Sequence, residues 1–168
     1  MNRLGRLEYS LIQEVLDSEF RSSKASNMVS RFEAEFSRYI GSNYAIGFVN
    51  GTATLHSVLE ALGVGVGDEV IVPPLTMSAT AYSVLQANAT PIFSDVLHDT
   101  YQIDAASVSS QITDRTKAVI TVALYGNSPD YYALKEVLGD IPIIEDNAQA
   151  FGTLYHGKQI GTFGCAAS

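Results

Sequence analysis

Apolar positions from residue 44 onward alternate between short β-branched runs and longer stretches with helical spacing. The short runs predict strands at about 44–49, 69–73, 91–96, 118–124 and 141–145, and the longer stretches predict helices near 52–62, 77–87, 104–111 and 130–138. Strands that alternate with helices favour a mostly parallel sheet with helices on both faces. We therefore expect an α/β fold with three layers in the order α/β/α.

The N-terminal residues show helical spacing alone. Apolar faces are formed by Leu11, Val15 and Leu16 and then by Val29, Phe32, Phe36, Tyr39 and Ile40. Gly41 is expected to end the second helix, as a C-terminal glycine often does. The sequence thus predicts a helical segment over 1–40, followed by the sheet-containing domain over 41–168.

A carboxylate follows one of the predicted strands. Ile141–Ile144 is too short for a helix and rich in β-branched residues, so it predicts a strand covered on both faces. Asp146 comes at its carboxyl end, where ligands of open α/β sheets bind. An ordinary helix N-cap is the alternative for Asp146. Glu145 is expected to point to the opposite face, because adjacent strand residues alternate.

A second candidate is the turn that precedes the helix near 52–62. Asn50, Gly51 and Thr52 follow an apolar run, and glycine lets backbone approach an anion at the unpaired N–H groups of a first helical turn. Such a turn can hold a phosphate. Plain helix capping by Asn50 is the alternative. A Walker loop is excluded, because no Gly-Lys-Ser/Thr follows.

Composition excludes several classes of partner. The chain has 168 residues, 46% of them hydrophobic, and a formal net charge of −8 at pH 7. This charge argues against nucleic acid or an anionic membrane as a partner. Cys165 is the only cysteine, so no internal disulfide is possible and a cytoplasmic location is expected. The three histidines show no metal-ligand spacing, so no metal site is predicted.

Five segments in order resemble one family. They are Asn50–Leu55, Gly67–Pro73, Ala89–Val96, Leu124–Gly126 and Glu145–Gly152. Together they resemble the DegT/DnrJ/EryC1/StrS family of pyridoxal-phosphate-dependent aminotransferases, most of which act on nucleotide-linked keto sugars. The resemblance runs from about Phe32 to the last residue. It implies the large domain of the aspartate-aminotransferase fold (type I), here incomplete.

The resemblance also implies roles for individual residues. Gly51 and Thr52 would hold the phosphate of pyridoxal phosphate, and Asp146 would pair with its pyridine nitrogen. Gln149 would hydrogen-bond the phenolic oxygen of the cofactor. Met77 stands where the family usually has an aromatic residue stacked on the ring; methionine can also cover a ring face, although core packing is the alternative.

The Schiff-base lysine of the family is expected beyond Ser168, so no catalytic residue is assigned within the chain. Gly161–Gly164 matches the turn that precedes that lysine in the family. Surface roles are expected for the lysines that the chain does contain. These are Lys24, Lys117, Lys135 and Lys158.

By resemblance, the intact protein would convert a nucleotide-linked keto sugar to an amino sugar, with glutamate as donor and as a homodimer. The chain itself supplies few basic residues for an anionic sugar nucleotide, so these are expected from the remaining half or from a second subunit. Two alternatives stay open. One is a catalytically silent module that binds cofactor or associates with subunits, and the other is a dehydratase branch of the family in which histidine replaces the lysine.

Overall fold

The computed structural model describes residues 4–18 and 28–168. The chain forms two compact units, Met1–Gly47 and Phe48–Ser168. The first unit contains helices α1 (Arg6–Asp17) and α2 (Met28–Ile40). Among the residues described, no helix is both long enough and apolar enough to cross a membrane.

Both N-terminal helices lie within the segment that the sequence predicts to be helical. The N–H of Gly5 donates to the Glu8 carboxylate (2.6 Å) at the start of α1. Gly41 ends α2 with a positive φ of 83°, and its N–H donates to the carbonyl of Ser37 (2.8 Å). The prediction that Gly41 closes this helix is therefore confirmed.

A five-stranded parallel sheet forms the centre of the second unit. Its strands lie in the order β2, β1, β3, β4 and β7. Their bounds are β1 Glu69–Val72, β2 Thr90–Phe93, β3 Thr116–Val122, β4 Ile143–Asp146 and β7 Ala166–Ala167. Four of these strands follow the predicted runs, and the ends differ by a few residues.

Helices cover both faces of this sheet. One face packs against α3 (Gly51–Ala61) and α4 (Ala79–Gln86), and the other packs against α5 (Ala105–Gln111) and α6 (Tyr131–Leu138). Side chains alternate between the two cores along each strand, so Ile144 lies in the α3–α4 core and Ile143 in the α5–α6 core. The predicted three-layer α/β/α architecture is confirmed.

The strand predicted over 44–49 is wrong. These residues have no regular secondary structure, and Tyr44, Ile46 and Val49 are 85%, 71% and 87% exposed. An apolar run becomes a strand only when another strand supplies its backbone partners. None of the strands that the structure describes pairs with this segment.

Two features near the end of the chain go beyond the prediction. A short antiparallel hairpin is made by β5 (Leu154–Tyr155) and β6 (Lys158–Gln159). The residues after Gly164 do more than approach a strand, because β7 already pairs with β4 in parallel register. The sheet therefore extends to the last residues of the chain.

Candidate active site

The candidate site lies at the carboxyl edge of the parallel sheet. Because all five strands run in one direction, the residues that follow them emerge at the same edge. Met77 follows β1, Leu124–Gly126 follows β3, Asp146 ends β4, and Ser168 follows β7. The sequence-predicted residues Asp146, Gln149 and Met77 thus share one edge.

Asp146 is the last residue of β4 and is 8% exposed. By strand alternation it faces the same side as Ile144, the side covered by α3 and α4. Its Oδ1 accepts the N–H of Ala148 (3.2 Å). Burial raises the pKa of Asp146, and the hydrogen bond from Ala148 offsets part of that rise.

The helix-cap alternative for Asp146 is wrong. No helix begins after it anywhere in the described stretch up to Ser168, and Asp146 instead closes a local turn through Ala148. Over residues 28–168 the structure shows no hydrogen bond to Oδ2 of Asp146. A buried carboxylate with one oxygen left over can accept a hydrogen bond from a protonated, cationic ring nitrogen.

The N-terminus of α3 offers unpaired donors. The side chain of Asn50 caps the helix by accepting the N–H of Ala53 (2.9 Å), which confirms the capping alternative for Asn50. Within the described part of the second unit, the N–H groups of Gly51 and Thr52 have no acceptor. Capping and phosphate binding are therefore compatible here, since the cap uses a different N–H.

Ser168 joins this helix end to the end of β4. Its carbonyl accepts the N–H of Asn147 (2.9 Å), and its hydroxyl lies 3.5 Å from the carbonyl oxygen of Gly51. A Cβ added to Gly51 would lie 3.4 Å from the same hydroxyl oxygen. The contacts bring the proposed phosphate donors of α3 to the loop that begins with Asp146.

Gln149 is held in one orientation. Its Oε1 accepts the N–H of Tyr125 (3.0 Å), which leaves the Nε2 donors for another partner. Tyr125 adopts the left-handed region (φ 57°, ψ 25°), a costly conformation for a bulky residue. The hydroxyl of Thr153 donates to the carbonyl of Gly126 (2.9 Å) and ties the same two loops together. The Nε2 group of Gln149 is thus available to donate, and its role toward a cofactor stays a prediction.

Met77 is placed less tightly. It lies between β1 and α4 and is 67% exposed, so the core-packing alternative is wrong for this side chain. Strand β3 separates β1 from β4 in the sheet, and the described contacts do not join Met77 to Asp146. Its proposed place over a cofactor ring stays a prediction.

The lysines occupy other positions. Lys117, Lys135 and Lys158 are exposed, and Lys24 lies outside the described residues. Lys135 lies with its Nζ 5.8 Å from the centre of the Phe163 ring, on the face covered by α6. The prediction of surface positions is confirmed for these three.

Glu145 has a role that the sequence did not predict. As predicted, its side chain points to the face opposite Asp146. It is fully buried and accepts backbone N–H groups from the turn 161–164. The only signal in the sequence is the glycine pair that brackets this turn, which indicates close backbone approach without naming its partner.

The second unit is an α/β domain whose sheet edge carries the buried carboxylate of Asp146 and, at the start of α3, N–H groups without an acceptor among the described residues. The sequence model of the DegT/DnrJ/EryC1/StrS aminotransferase family matches residues 3–168 of the chain. The chain belongs to this family, as the resemblance implied.

Three proteins that are similar to this chain show how much of their sequence and structure it shares. GDP-perosamine synthase of Escherichia coli O157:H7 is 42% identical over 159 residues, which cover 94% of this chain and 43% of that protein. The X-ray structure of an aminotransferase from Psychrobacter cryohalolentis superposes with a TM-score of 0.89 at 36% identity, over 97% of this chain and 42% of that one. An E. coli GDP-4-keto-6-deoxy-D-mannose-3-dehydratase with bound hydrated PLP gives a TM-score of 0.88 at 33% identity, over 98% and 44%.

The chain therefore spans less than half the length of these relatives. The predicted fold, the large domain of a pyridoxal-phosphate-dependent aminotransferase in incomplete form, is confirmed by the structural neighbours. Pyridoxal phosphate is confirmed as the cofactor of the family to which the chain belongs.

Proposed function

We propose that this chain is the N-terminal, cofactor-binding part of a pyridoxal-phosphate-dependent aminotransferase that converts a nucleotide-linked keto sugar to an amino sugar. The main support for this proposal is the position of Asp146. Its side chain is buried at the carboxyl end of β4, and one of its carboxylate oxygens has no partner among the described residues. The start of α3, whose first N–H groups have no acceptor among the described residues, lies next to Ser168 on the same edge of the sheet.

The residues present fit the cofactor at three of its groups. Gly51 and Thr52 offer N–H groups to the phosphate, and Gln149 offers Nε2 to the phenolic oxygen. Asp146 would hold a proton on the pyridine nitrogen, and Met77 would cover one ring face. When bound, the cofactor supplies an electron-withdrawing ring for chemistry at the carbon that carries the amino group.

The substrate class is proposed from the relatives. The printed names of several are of sugar transaminases or GDP-perosamine synthases. The family resemblance implies that Ala123, Asn147 and Phe151 replace residues that are commoner in the family, so we expect sugar preference to depend on them. Glutamate as amino donor, a homodimer, a cytoplasmic location and a role in cell-surface polysaccharide or secondary-metabolite biosynthesis belong to the same proposal.

A dehydratase is the second candidate. The dehydratase structure superposes as well as the aminotransferase does, so the described residues do not separate the two reactions. The discriminating residue is the one at the Schiff-base position, beyond Ser168. Sequencing the gene past the Ser168 codon tests this: a lysine supports transamination, and a histidine supports dehydration, because histidine moves protons but forms no Schiff base.

A direct binding experiment tests the proposal on the chain itself. We expect weak, non-covalent uptake of pyridoxal phosphate in an absorbance titration, because the phosphate and ring contacts are present and the described lysines are exposed elsewhere. Borohydride reduction and peptide mass spectrometry then check for a covalent link. A stoichiometric phosphopyridoxyl group on Lys24, Lys117, Lys135 or Lys158 would contradict the assignment of the Schiff base to a position beyond Ser168. Binding without any measurable turnover of the natural gene product would favour the silent module.

A further inference from the structure

The face of β4 opposite Asp146 carries a second carboxylate that holds the turn 161–164. We propose that Glu145 is a positioning residue: it sets β7 and Ser168 against the end of β4, where they form one wall of the cofactor site. What that site binds rests on the proposed function. The positioning itself rests on contacts within this chain.

Both oxygens of the Glu145 carboxylate are used. Oε1 accepts the N–H groups of Phe163 (2.7 Å) and Gly164 (2.6 Å), and Oε2 accepts the N–H of Gly161 (2.7 Å). The side-chain amide of Asn147 reaches Oε2 at 3.4 Å. Four donors converge on one side chain that is 0% exposed. Only a carboxylate offers acceptors on both sides of the fork, so the arrangement is specific for Glu145.

Gly164 completes this hold. A Cβ at this position would lie 2.3 Å from the carbonyl oxygen of Ile143, so the turn approaches β4 more closely than any other residue allows. Directly afterwards the N–H of Cys165 donates to the same carbonyl (2.8 Å), and the N–H of Ser168 donates to the carbonyl of Glu145 (2.7 Å). The hydrogen bonds that fix the turn 161–164 are therefore followed directly by those that set the register of β7 against β4.

The last residue of this wall contacts both halves of the site. Ser168 accepts the N–H of Asn147 next to Asp146, and its hydroxyl lies beside Gly51 at the start of α3. A turn that slips from Glu145 would carry Ser168 away from both. Phe163 also stacks on Tyr131, with ring centres 4.7 Å apart, so the turn keeps an apolar anchor when the carboxylate is changed.

The test is Glu145→Gln in the natural full-length gene product, read by pyridoxal phosphate titration. The amide puts a donor where one carboxylate oxygen accepted, so part of the turn loses its acceptor. We expect the Kd to rise by at least about tenfold, the scale seen when groups that orient ligand-holding atoms are removed. A Kd within about twofold of wild type overturns the inference.

Two matched variants separate positioning from general stability. Glu136→Gln makes the same change on the exposed side of α6, and Leu138→Ala removes a buried core side chain of the same helix. Leu138→Ala is expected to lower the melting temperature while leaving the Kd within about twofold of wild type, as is Glu136→Gln. If Leu138→Ala weakens binding as much as Glu145→Gln does, Glu145 has no positioning role.

Hydrogen exchange of the ligand-free protein decides the inference independently of cofactor binding. If wild type takes up no pyridoxal phosphate, the proposed function fails, and faster exchange at the amides of Asn147 and Ser168 in Glu145→Gln still supports the positioning role. Unchanged rates there overturn it. Should the variant not fold, the wild-type amides of Gly161, Phe163 and Gly164 decide: slow exchange supports the hold, and exchange at the unfolded rate overturns it.

Discussion

Strand β4 ends in two carboxylates with opposite surroundings. Glu145 is fully buried on the α5–α6 side, and four N–H donors use both of its oxygens. Asp146 faces the α3–α4 side, is 8% exposed and accepts one backbone N–H. The contrast separates two uses of a buried carboxylate. One with all acceptors filled fixes the backbone around it, whereas one with an acceptor left over is available to a ligand.

The electrostatics of Asp146 follow the same contrast. Its burial raises the pKa of the carboxyl group, and the one hydrogen bond from Ala148 opposes this only in part. A cationic ring nitrogen placed at the remaining oxygen would stabilise the ionised form and lower that pKa again. In the folded chain, a positively charged partner would therefore stabilise the ionised form of the Asp146 carboxylate.

The largest expected effect is that of Asp146→Asn on turnover. In the natural full-length protein we expect kcat to fall by roughly 100- to 1000-fold, because an amide cannot hold the positive charge of a ring nitrogen. The affinity for pyridoxal phosphate should change much less, since the phosphate contacts remain. Asp95→Asn, the same change at an exposed position after β2, is the control. Near-wild-type turnover of Asp146→Asn would show that Asp146 only shapes its turn.

The next effect separates the two carboxylates by stability. Glu145→Ala leaves three buried backbone N–H groups without their acceptor, so we expect a loss of about 3 kcal/mol or more in the free energy of unfolding. Denaturant midpoints measure this, with Glu136→Ala as the exposed control. Asp146→Asn is expected to cause no comparable loss. Equal losses at the two positions would remove the contrast between them.

A smaller effect is expected at Gln149. Replacement by leucine removes the Nε2 donor and one hydrogen bond to the cofactor, which corresponds to about a tenfold weaker Kd for pyridoxal phosphate. Gln86→Leu, at the exposed end of α4, controls for the added apolar surface. If the Gln149→Leu titration coincides with wild type, the orientation set by Tyr125 has no bearing on cofactor binding.

The smallest effect is a pH dependence of stability without cofactor. The pKa of Asp146 is raised in the folded state, so between its unfolded and folded pKa values only the folded protein keeps the proton. The free energy of unfolding therefore falls as pH rises through that window. Above the window, the cost of burying the ionised Asp146 carboxylate no longer changes with pH. Asp146→Asn lacks this cost, so its melting temperature should exceed that of wild type at neutral pH and converge with it in acid. A difference that does not vary with pH would contradict this.

Much of the fold follows from local patterns in the sequence. The β-branched runs at β1, β3 and β4 are long enough to be recognised, and alternation along β4 places Glu145 and Asp146 on opposite faces. The segment 44–49 is also apolar, but none of the strands in the described part of the chain pairs with it. Periodicity describes which side chains can be buried, and it carries no information about whether a backbone partner is present.

The site was predictable where a residue's position depends on its own strand or helix. Asp146 at the end of β4 and Gly51 at the start of α3 are of this kind. The hold of Glu145 on the turn 161–164 and the bond from Tyr125 to Gln149 were not predicted. Both join segments that are far apart in sequence, and only the packing of the whole sheet brings them together.

The most direct test of the site is the protonation state of the bound ring. Pyridoxal phosphate labelled with ¹⁵N at the pyridine nitrogen, bound to the natural full-length protein, reports this state by NMR near neutral pH. We predict a protonated nitrogen in wild type and an unprotonated one in Asp146→Asn. An unprotonated nitrogen in the wild-type complex, or the same resonance in both proteins, would contradict the pairing of Asp146 with the cofactor.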